Sequence, residues 1–566
     1  MKNIFNSVLV KAPKFNVFNL SHTTRFTCNF STLIPTLCQE VLPGETWSVS
    51  TQGFVRLLPL VTPFMHHVDV KYWFFFVPNR LLWDHWRDFI TYGVNGPTDP
   101  KLAPQHAKPY CDMTKFNLPD DSHRKLIEDG SLADFLGFPT VPSGYDWNSA
   151  LSTYGVQKVD IMPFVAYQLI YNEYFINRNV QSNLDDLLNG VRSRDGLLTP
   201  SAFSWIFQLR TVNWNLDYYT SCLPFVQRGS AAPIPFDADL SLVDKKGSSR
   251  VKDSQGRSID GSPLVLTSQD GQGVAANSYE KVYTSGGDET SLINDVSSGH
   301  GSDGVQIDVT SHTGVKVNSL TATINDLRFA TRLQSWMEKS ARVGSRYIEQ
   351  IKAHFGVTSS DARQQRPELL GGGSYPIMVS DVEQTSETST TPLATLGGKG
   401  TAFGVTKGFK KHFEEHGFIM GIMTLSPRAT YKNAFPRQFM RFNPMDYYFP
   451  EFQHLGEQKV TKREVSPDLS NDGSYNDETF GYQQRFAEYR YIPSTVHGGF
   501  KNGEDLSKWV MVRNLGRVAL NSDFVRQQVD YNNFADVTYN SDHCLVELYH
   551  DIKASRPLDV YATPTL

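Results

Sequence analysis

Cysteine is scarce in this chain: five residues in 566, at positions 28, 38, 111, 222 and 544, with no Cys-x-x-Cys pair among them. An odd and scattered set excludes a disulfide framework and a zinc ribbon, and suits a reducing compartment. Long apolar runs are missing too. The longest, residues 72–77 and 418–423, fall far short of the roughly 20 residues that a membrane-spanning helix needs. Near the start only Val8-Leu-Val10 is apolar, so neither a secretory signal nor membrane insertion is expected. Acidic residues are absent from the first 39 positions, which carry Lys2, Lys11, Lys14 and Arg25. Trp, Phe and Met are absent from a polar stretch at residues 237–316. No Gly-x-Ser-x-Gly nucleophile elbow occurs, so the usual signature of an α/β-hydrolase is lacking.

What is present points to sheets and loops. Aromatic residues make up 12% of the chain, with 30 prolines and 41 glycines, a balance that favours β structure over helix. At 40% apolar, the chain can bury one very large core or about two to four ordinary ones. The net charge of −5 is concentrated in one place: residues 237–316 hold twelve acids and seven bases, and the remainder is balanced. A long stretch rich in Gly, Ser and Asp that carries the whole excess reads as an exposed insertion in a buried scaffold. The acid-free start has two readings of equal weight. Its four bases can neutralise phosphates, or they belong to a packed terminus that happens to lack acids.

Strands are expected within residues 41–60, opened by the turn Leu42-Pro-Gly-Glu45, and over 68–77, ended by Pro78. Others are expected over 417–425, stopped by Pro427, and over 509–513 and 544–549. All are short, β-branched or aromatic, and the first three are bounded by Pro or Gly. Strands near both ends of a chain, with long excursions between them, predict a sandwich closed by non-local pairing. Helices fill the excursions. Leu327, Ala330, Leu333, Trp336 and Met337 recur at helical spacing, with Thr323 and Asp326 as a capping pair. Residues 346–355 form a second helix capped by Gly356, and residues 163–175 a third, with Pro163 in its first turn.

Three motifs invite a catalytic reading and none sustains it. His412-Phe-Glu-Glu-His416 fits an inverted zinc-protease pattern, but Gly408 and Gly417 bracket it and a strand follows at once. A strand end or loop is the better expectation. Gly271-Gln-Gly-Val-Ala-Ala276 matches a loose dinucleotide fingerprint without the strand before it or the helix after it. Gly397-Gly-Lys-Gly-Thr401 fails as a phosphate loop because Lys399 is followed by Gly400. Gly371-Gly-Gly-Ser374 reads as a flexible turn, and the adjacent pair His66-His67 faces opposite ways on a strand and cannot share one metal. No catalytic, metal or cofactor residue is assigned.

Several segments then fall into order. Pro43-Gly-Glu-Thr, Phe74-Phe-Phe-Val-Pro-Asn-Arg80 with Leu82-Trp-Asp-His-Trp86, and Ser345-Arg-Tyr-Ile-Glu349 with His354-Phe-Gly-Val357 come first. Asp361-Ala-Arg-Gln-Gln-Arg-Pro-Glu368, Gln384-Thr-Ser386 and Thr391-Pro-Leu393 follow. Phe449-Pro, His454-Leu-Gly-Glu457 and Phe480-Gly-Tyr-Gln-Gln-Arg-Phe-Ala-Glu-Tyr-Arg490 complete the series. Together they resemble the major capsid proteins of the Microviridae, and the long insertion before Thr321-Ala-Thr-Ile-Asn-Asp-Leu-Arg328 is most similar to the gokushovirus branch. One departure is Ala341-Arg-Val-Gly-Ser345, where relatives tend to have a glycine pair.

The resemblance implies a mainly β protein: an eight-stranded viral jelly roll, a β-sandwich with long loop and helical insertions. It implies a homo-oligomer of about sixty copies in a small icosahedral, T=1-like shell around circular single-stranded DNA. The expected partners are a small DNA-packaging protein, a pilot or minor virion protein, and a host receptor reached through the insertion as a threefold protrusion. Location would be the virion, assembled in the bacterial cytoplasm. On this reading, residues 1–39 are a basic arm in which Lys2, Lys11, Lys14 and Arg25 meet nucleic acid. Residues 40–236 are the first part of the jelly roll, 237–316 the insertion, and 317–566 helices with the second part. A jelly-roll protein that binds or hydrolyses glycans is the alternative from another class, and a phage decoration protein a milder one.

Overall fold

The computed structural model describes residues 13–93, 106–112, 125–138, 140, 158–199, 203–230, 237–244, 251–252, 258–259, 313–321, 324–387, 393–470, 473–501, 505–513, 515–537 and 541–561. Two antiparallel sheets organise it. Their strands, in chain order, are β1 (Asn16–Asn19), β2 (His22–Cys28), β3 (Ile34–Val41), β4 (Thr46–Leu57) and β5 (Val68–Pro78). After a long interval come β6 (Glu368–Pro376), β7 (Met378–Glu383), β8 (Leu396–His412), β9 (Gly417–Pro427) and β10 (Cys544–Arg556). The first sheet is six-stranded, in the order β1-β10-β4-β8-β7, with β2 beside β1 along the same side of β10. The second is four-stranded, in the order β6-β5-β9-β3.

The pairing is non-local because the hydrophobic pattern demands it. In β4 every second residue is buried, from Trp47 to Leu57, and β10 repeats the pattern from Cys544 to Ala554. Those inward faces meet Val70, Tyr72, Phe74 and Phe76 of β5 in one core. The Phe74 and Phe409 rings sit 5.4 Å apart across the two sheets. The alternate residues of β5 and β9, including Phe75, Val77, Met420 and Ile422, join a second core on the far side of the same sheet. Helix α1 (Met162–Ile170), with Pro163 in its first turn, supplies much of that second core. Sheet two is thus covered on both faces, which is why all of β9 is buried and reads as an unbroken apolar run.

The turn before β4 shows how a short motif closes the sandwich. Gly44 takes φ 88°, a left-handed value that side chains resist, and lets the chain reverse after β3. Glu45 is then fully buried, accepts a hydrogen bond from Trp47 Nε1 at 2.7 Å, and ion-pairs with Arg556 at 3.0 Å. Arg556, from the other end of the chain, also lies over the Trp47 ring. A carboxylate this deep persists only with its partner in place.

Residues 230–336 form a separate compact unit from residues 1–229 and 337–566. Within it the strands Asp237–Asp244 and Thr313–Thr321 pair antiparallel, with Asp244 opposite Thr313. Helix α2 (Ile324–Val343) and helix α3 (Tyr347–Phe355) follow where the spacing predicts them, and Gly356 caps α3 at φ 70°. Residues 509–513, expected as a strand, form none: a 3-10 turn ends at Trp509 and Arg513 makes only an isolated bridge to Tyr431. Their apolar character serves burial, since Met511 packs into the sandwich core, and no ladder partner runs alongside.

His550 gives this fold a pH dependence. On β10 it is fully buried, with Nδ1 2.8 Å from Thr51 Oγ1 and its ring 5.3 Å from His22 and 6.4 Å from Tyr72. Burial, reinforced by His22, pushes its pKa down to about 4. The unfolded chain takes up this proton near pH 6.5, before the folded one does. Stability is therefore complete above about pH 6.5 and falls toward pH 4, by about 3 kcal/mol from this residue. From pH 7.5 to 4.5 the melting temperature should fall less steeply for His550→Gln than for the parent. Parallel curves for the two proteins would contradict the assignment.

Candidate functional site

The basic residues of the N-terminal stretch do not share one fate. Lys2 and Lys11 lie outside the described residues. Lys14 is exposed just before β1. Arg25 stands on β2, on the face of sheet one that points away from the core, and pairs with Glu547 of β10 at 2.8 Å. Within the stretch read as an arm, β1 and β2 are built into sheet one and β3 into sheet two. Arg25 is thereby fixed on a sheet face, and its charge is shared with an acid 522 positions away.

That outward face also carries residues the sequence reading did not single out. Arg56 of β4, Lys399, Lys407 and Lys410 of β8 and Lys553 of β10 are exposed on it. Phe403 stands directly opposite Phe54, and Tyr549 opposite Gln52. The strict alternation Leu545, Glu547, Tyr549, Asp551, Lys553 was the available signal: in a strand with one buried face, the other residues of the period form a surface.

A second surface is apolar. Three 3-10 turns, Arg437–Met440, Pro444–Asp446 and Pro450–Phe452, run beside the turn Ala487–Tyr489. Tyr448 packs on Phe486 and Tyr489, and Arg441 lies over Tyr447 and Tyr489 while pairing with Glu488 at 3.1 Å. Around this frame Phe442 is 85% exposed and Ile492 93%, with Met445, Leu455 and Tyr491 also exposed. Apolar side chains of this size gathered at a surface mark a contact with another molecule.

The catalytic motifs dissolve in the fold. His412 ends β8 and its Nδ1 meets Thr46 Oγ1 at 3.1 Å, Glu415 is held by Arg80 at 2.7 Å, and β9 begins at Gly417. No helix places the two histidines on one side. Gly397–Thr401 are strand residues of β8, and Gly271-Gln-Gly-Val-Ala-Ala276 lies outside the described residues. Gly371-Gly-Gly-Ser374 is not a flexible turn but part of β6. A Cβ on Gly372 would sit 2.3 Å from the Tyr72 carbonyl oxygen, so glycine there permits close approach to β5. His66 meets the Arg428 carbonyl oxygen through Nε2 at 2.8 Å.

Among the described residues one group has metal-ligating chemistry: His85, His106 and Asp195. The two rings are stacked at 3.8 Å, and their Nδ1 atoms approach different oxygens of Asp195 at 3.0 and 2.7 Å. The buried Trp83 adds its indole N–H at 3.0 Å. Burial raises the Asp195 pKa, but hydrogen bonds from His106, His85 and Trp83 outweigh it and hold the group below its ordinary value. The arrangement is a hydrogen-bonded clip between three loops.

The sequence model of a family described as "Capsid protein (F protein)" matches residues 10–566. "Capsid protein VP1" of Chlamydia phage 1 is 32% identical, the alignment covering 100% of this chain and 98% of that protein. "Capsid protein VP1" of Bdellovibrio phage phiMH2K is 31% identical over 97% of this chain and 94% of its own length. "Capsid protein VP1" of Spiroplasma virus 4 is 27% identical, with the same 97% and 94% coverage.

Proposed function

Because the chain belongs to the capsid protein (F protein) family, and so is a structural protein of a virion and not an enzyme, we propose that it builds a T=1-like icosahedral shell of about sixty copies around circular single-stranded DNA. The full-length family match carries the reading. The sheet orders support a jelly roll: the chain passes from β2 in one sheet to β3 in the other and back to β4. Four strands of each sheet then line up as β2-β10-β4-β8 and β3-β9-β5-β6. The shell assembles in the bacterial cytoplasm with a small DNA-packaging protein and a pilot protein. Residues 237–316 form the protrusion that meets the host receptor. Lys2, Lys11, Lys14 and Arg25 lie on the genome side. The apolar surface around Phe442 and Ile492 joins neighbouring copies.

Nucleic acid extracted from nuclease-treated particles tests the reading. It should be DNA, digested by a nuclease specific for single strands and resistant to an exonuclease that needs free ends. Duplex DNA or RNA in the particles would contradict it.

A further inference from the structure

The outward face of sheet one has the chemistry of a nucleic-acid platform. Its charge is one-sided: Arg56, Lys399, Lys407, Lys410 and Lys553 are exposed and form no ion pair among the described residues. Against them stand Glu547, already paired with Arg25, and Asp551, which accepts from Ser21 Oγ at 3.1 Å. The charges have an order. Lys410 and Lys553 flank Ser48 on the two strands next to β4, about 10 Å apart by strand spacing. Six residues along β4, about 20 Å away, Phe54 lies opposite Phe403. Phe403 is 68% exposed, and Tyr549 stands beside this pair. Rings lying open on a sheet beside a row of cations are what single strands stack and track along.

Two other occupants fit less well. A protein partner would meet a flat face rich in lysine, a residue type depleted from protein interfaces. The apolar surface around Phe442, where Arg437 and Arg441 pair with the half-buried Glu488, suits a second copy better. The groove of about 540 Å³ lined by Lys432, Lys501 and Lys508 is also basic, but it includes Asp523 and Asp530, and its Trp214 and Phe524 rings are buried. Only the half-buried Phe500 remains, too little for successive bases to stack on.

We propose that the outward face of sheet one is the surface on which single-stranded DNA lies, with Phe54, Phe403 and Tyr549 stacking on bases and Arg56, Lys407, Lys410 and Lys553 holding phosphates. This rests on the reading of the chain as the shell of a single-stranded DNA genome, and it places the contact on the folded sheet beyond the N-terminal stretch.

The test uses the full chain, kept as dissociated subunits, titrated with a fluorescein-labelled thymidine 20-mer at several salt concentrations. Lys407→Gln/Lys410→Gln/Lys553→Gln should flatten the slope of log affinity against log salt by about 2, since each phosphate contact on a single strand contributes about 0.7. Phe54→Ser/Phe403→Ser should keep the slope and lose affinity by at least about tenfold. Circular dichroism and melting temperature should match the parent in both, because all five side chains are exposed. Parental affinity and slope in both variants, with binding intact, would overturn the face while leaving the DNA reading standing. If the face variants lose particle formation but not DNA binding, the face is a contact between copies and the proposal fails. A parent chain that ignores the oligonucleotide, together with particles that hold no single-stranded DNA, would instead sink the reading on which the proposal rests.

Discussion

Phe442→Asp/Ile492→Asp should yield a folded, soluble chain that no longer forms particles. Neither side chain contributes to the core: they are 85% and 93% exposed, and the ring contacts among Tyr448, Phe486 and Tyr489 do not involve them. Melting temperature should therefore move by less than a few degrees, as for most surface substitutions. At a contact between copies the same changes bury two carboxylates where two apolar groups were. Losing a large apolar side chain from such a contact costs about 1.5–3 kcal/mol, and an unpaired charge costs more. A loss of about 3 kcal/mol weakens one contact by about a hundredfold, and a closed shell repeats that loss at every copy. Sedimentation of the purified variant checks this. Particles at parental yield would show that the surface around Phe442 lies free on the shell.

Removing residues 245–312 should spare the shell and abolish attachment to the host. Asp244 and Thr313 are register partners, so an Asn-Gly pair can join them as a two-residue hairpin turn. The compact unit that contains the deletion is separate from residues 1–229 and 337–566, which hold both sheets. Shortening a loop lowers its closure entropy, so the sandwich should be no less stable. Attachment has no such substitute, because the excised stretch, with nine acids against six bases, holds most of the polar insertion. Adsorption of variant particles to host cells, scored as unadsorbed fraction, should fall to background. Parental adsorption would remove the receptor role from the insertion.

What could be read from the sequence depended on whether one residue or a distant partner decided the outcome. β5 and β9 announced themselves because a strand buried on both faces must be apolar throughout. β8 did not. Its glycines and lysines are poor strand formers, and their logic lies elsewhere: Gly404 of β8 faces Gly53 of β4, and Tyr375 from the other sheet fills the space above both. Without that ring in view, the run looked like a broken phosphate loop. The basic start was legible as charge, whereas the partner of Arg25 was hidden at Glu547. Arg56 and Lys553 formed no cluster in the sequence, and only pairing of β4 with β10 brings them onto one face. The surface around Phe442 was invisible for a related reason: no local pattern separates its apolar residues from buried ones, and only the turns set them outside.

The mass and symmetry of the particle test the central claim most directly. Native mass measurement of purified empty shells, with electron microscopy of the same sample, should give icosahedral particles of about 3.8 MDa, which is about sixty copies of a 63.8 kDa chain. A monodisperse monomer, an open filament or a shell of a different copy number would contradict the account.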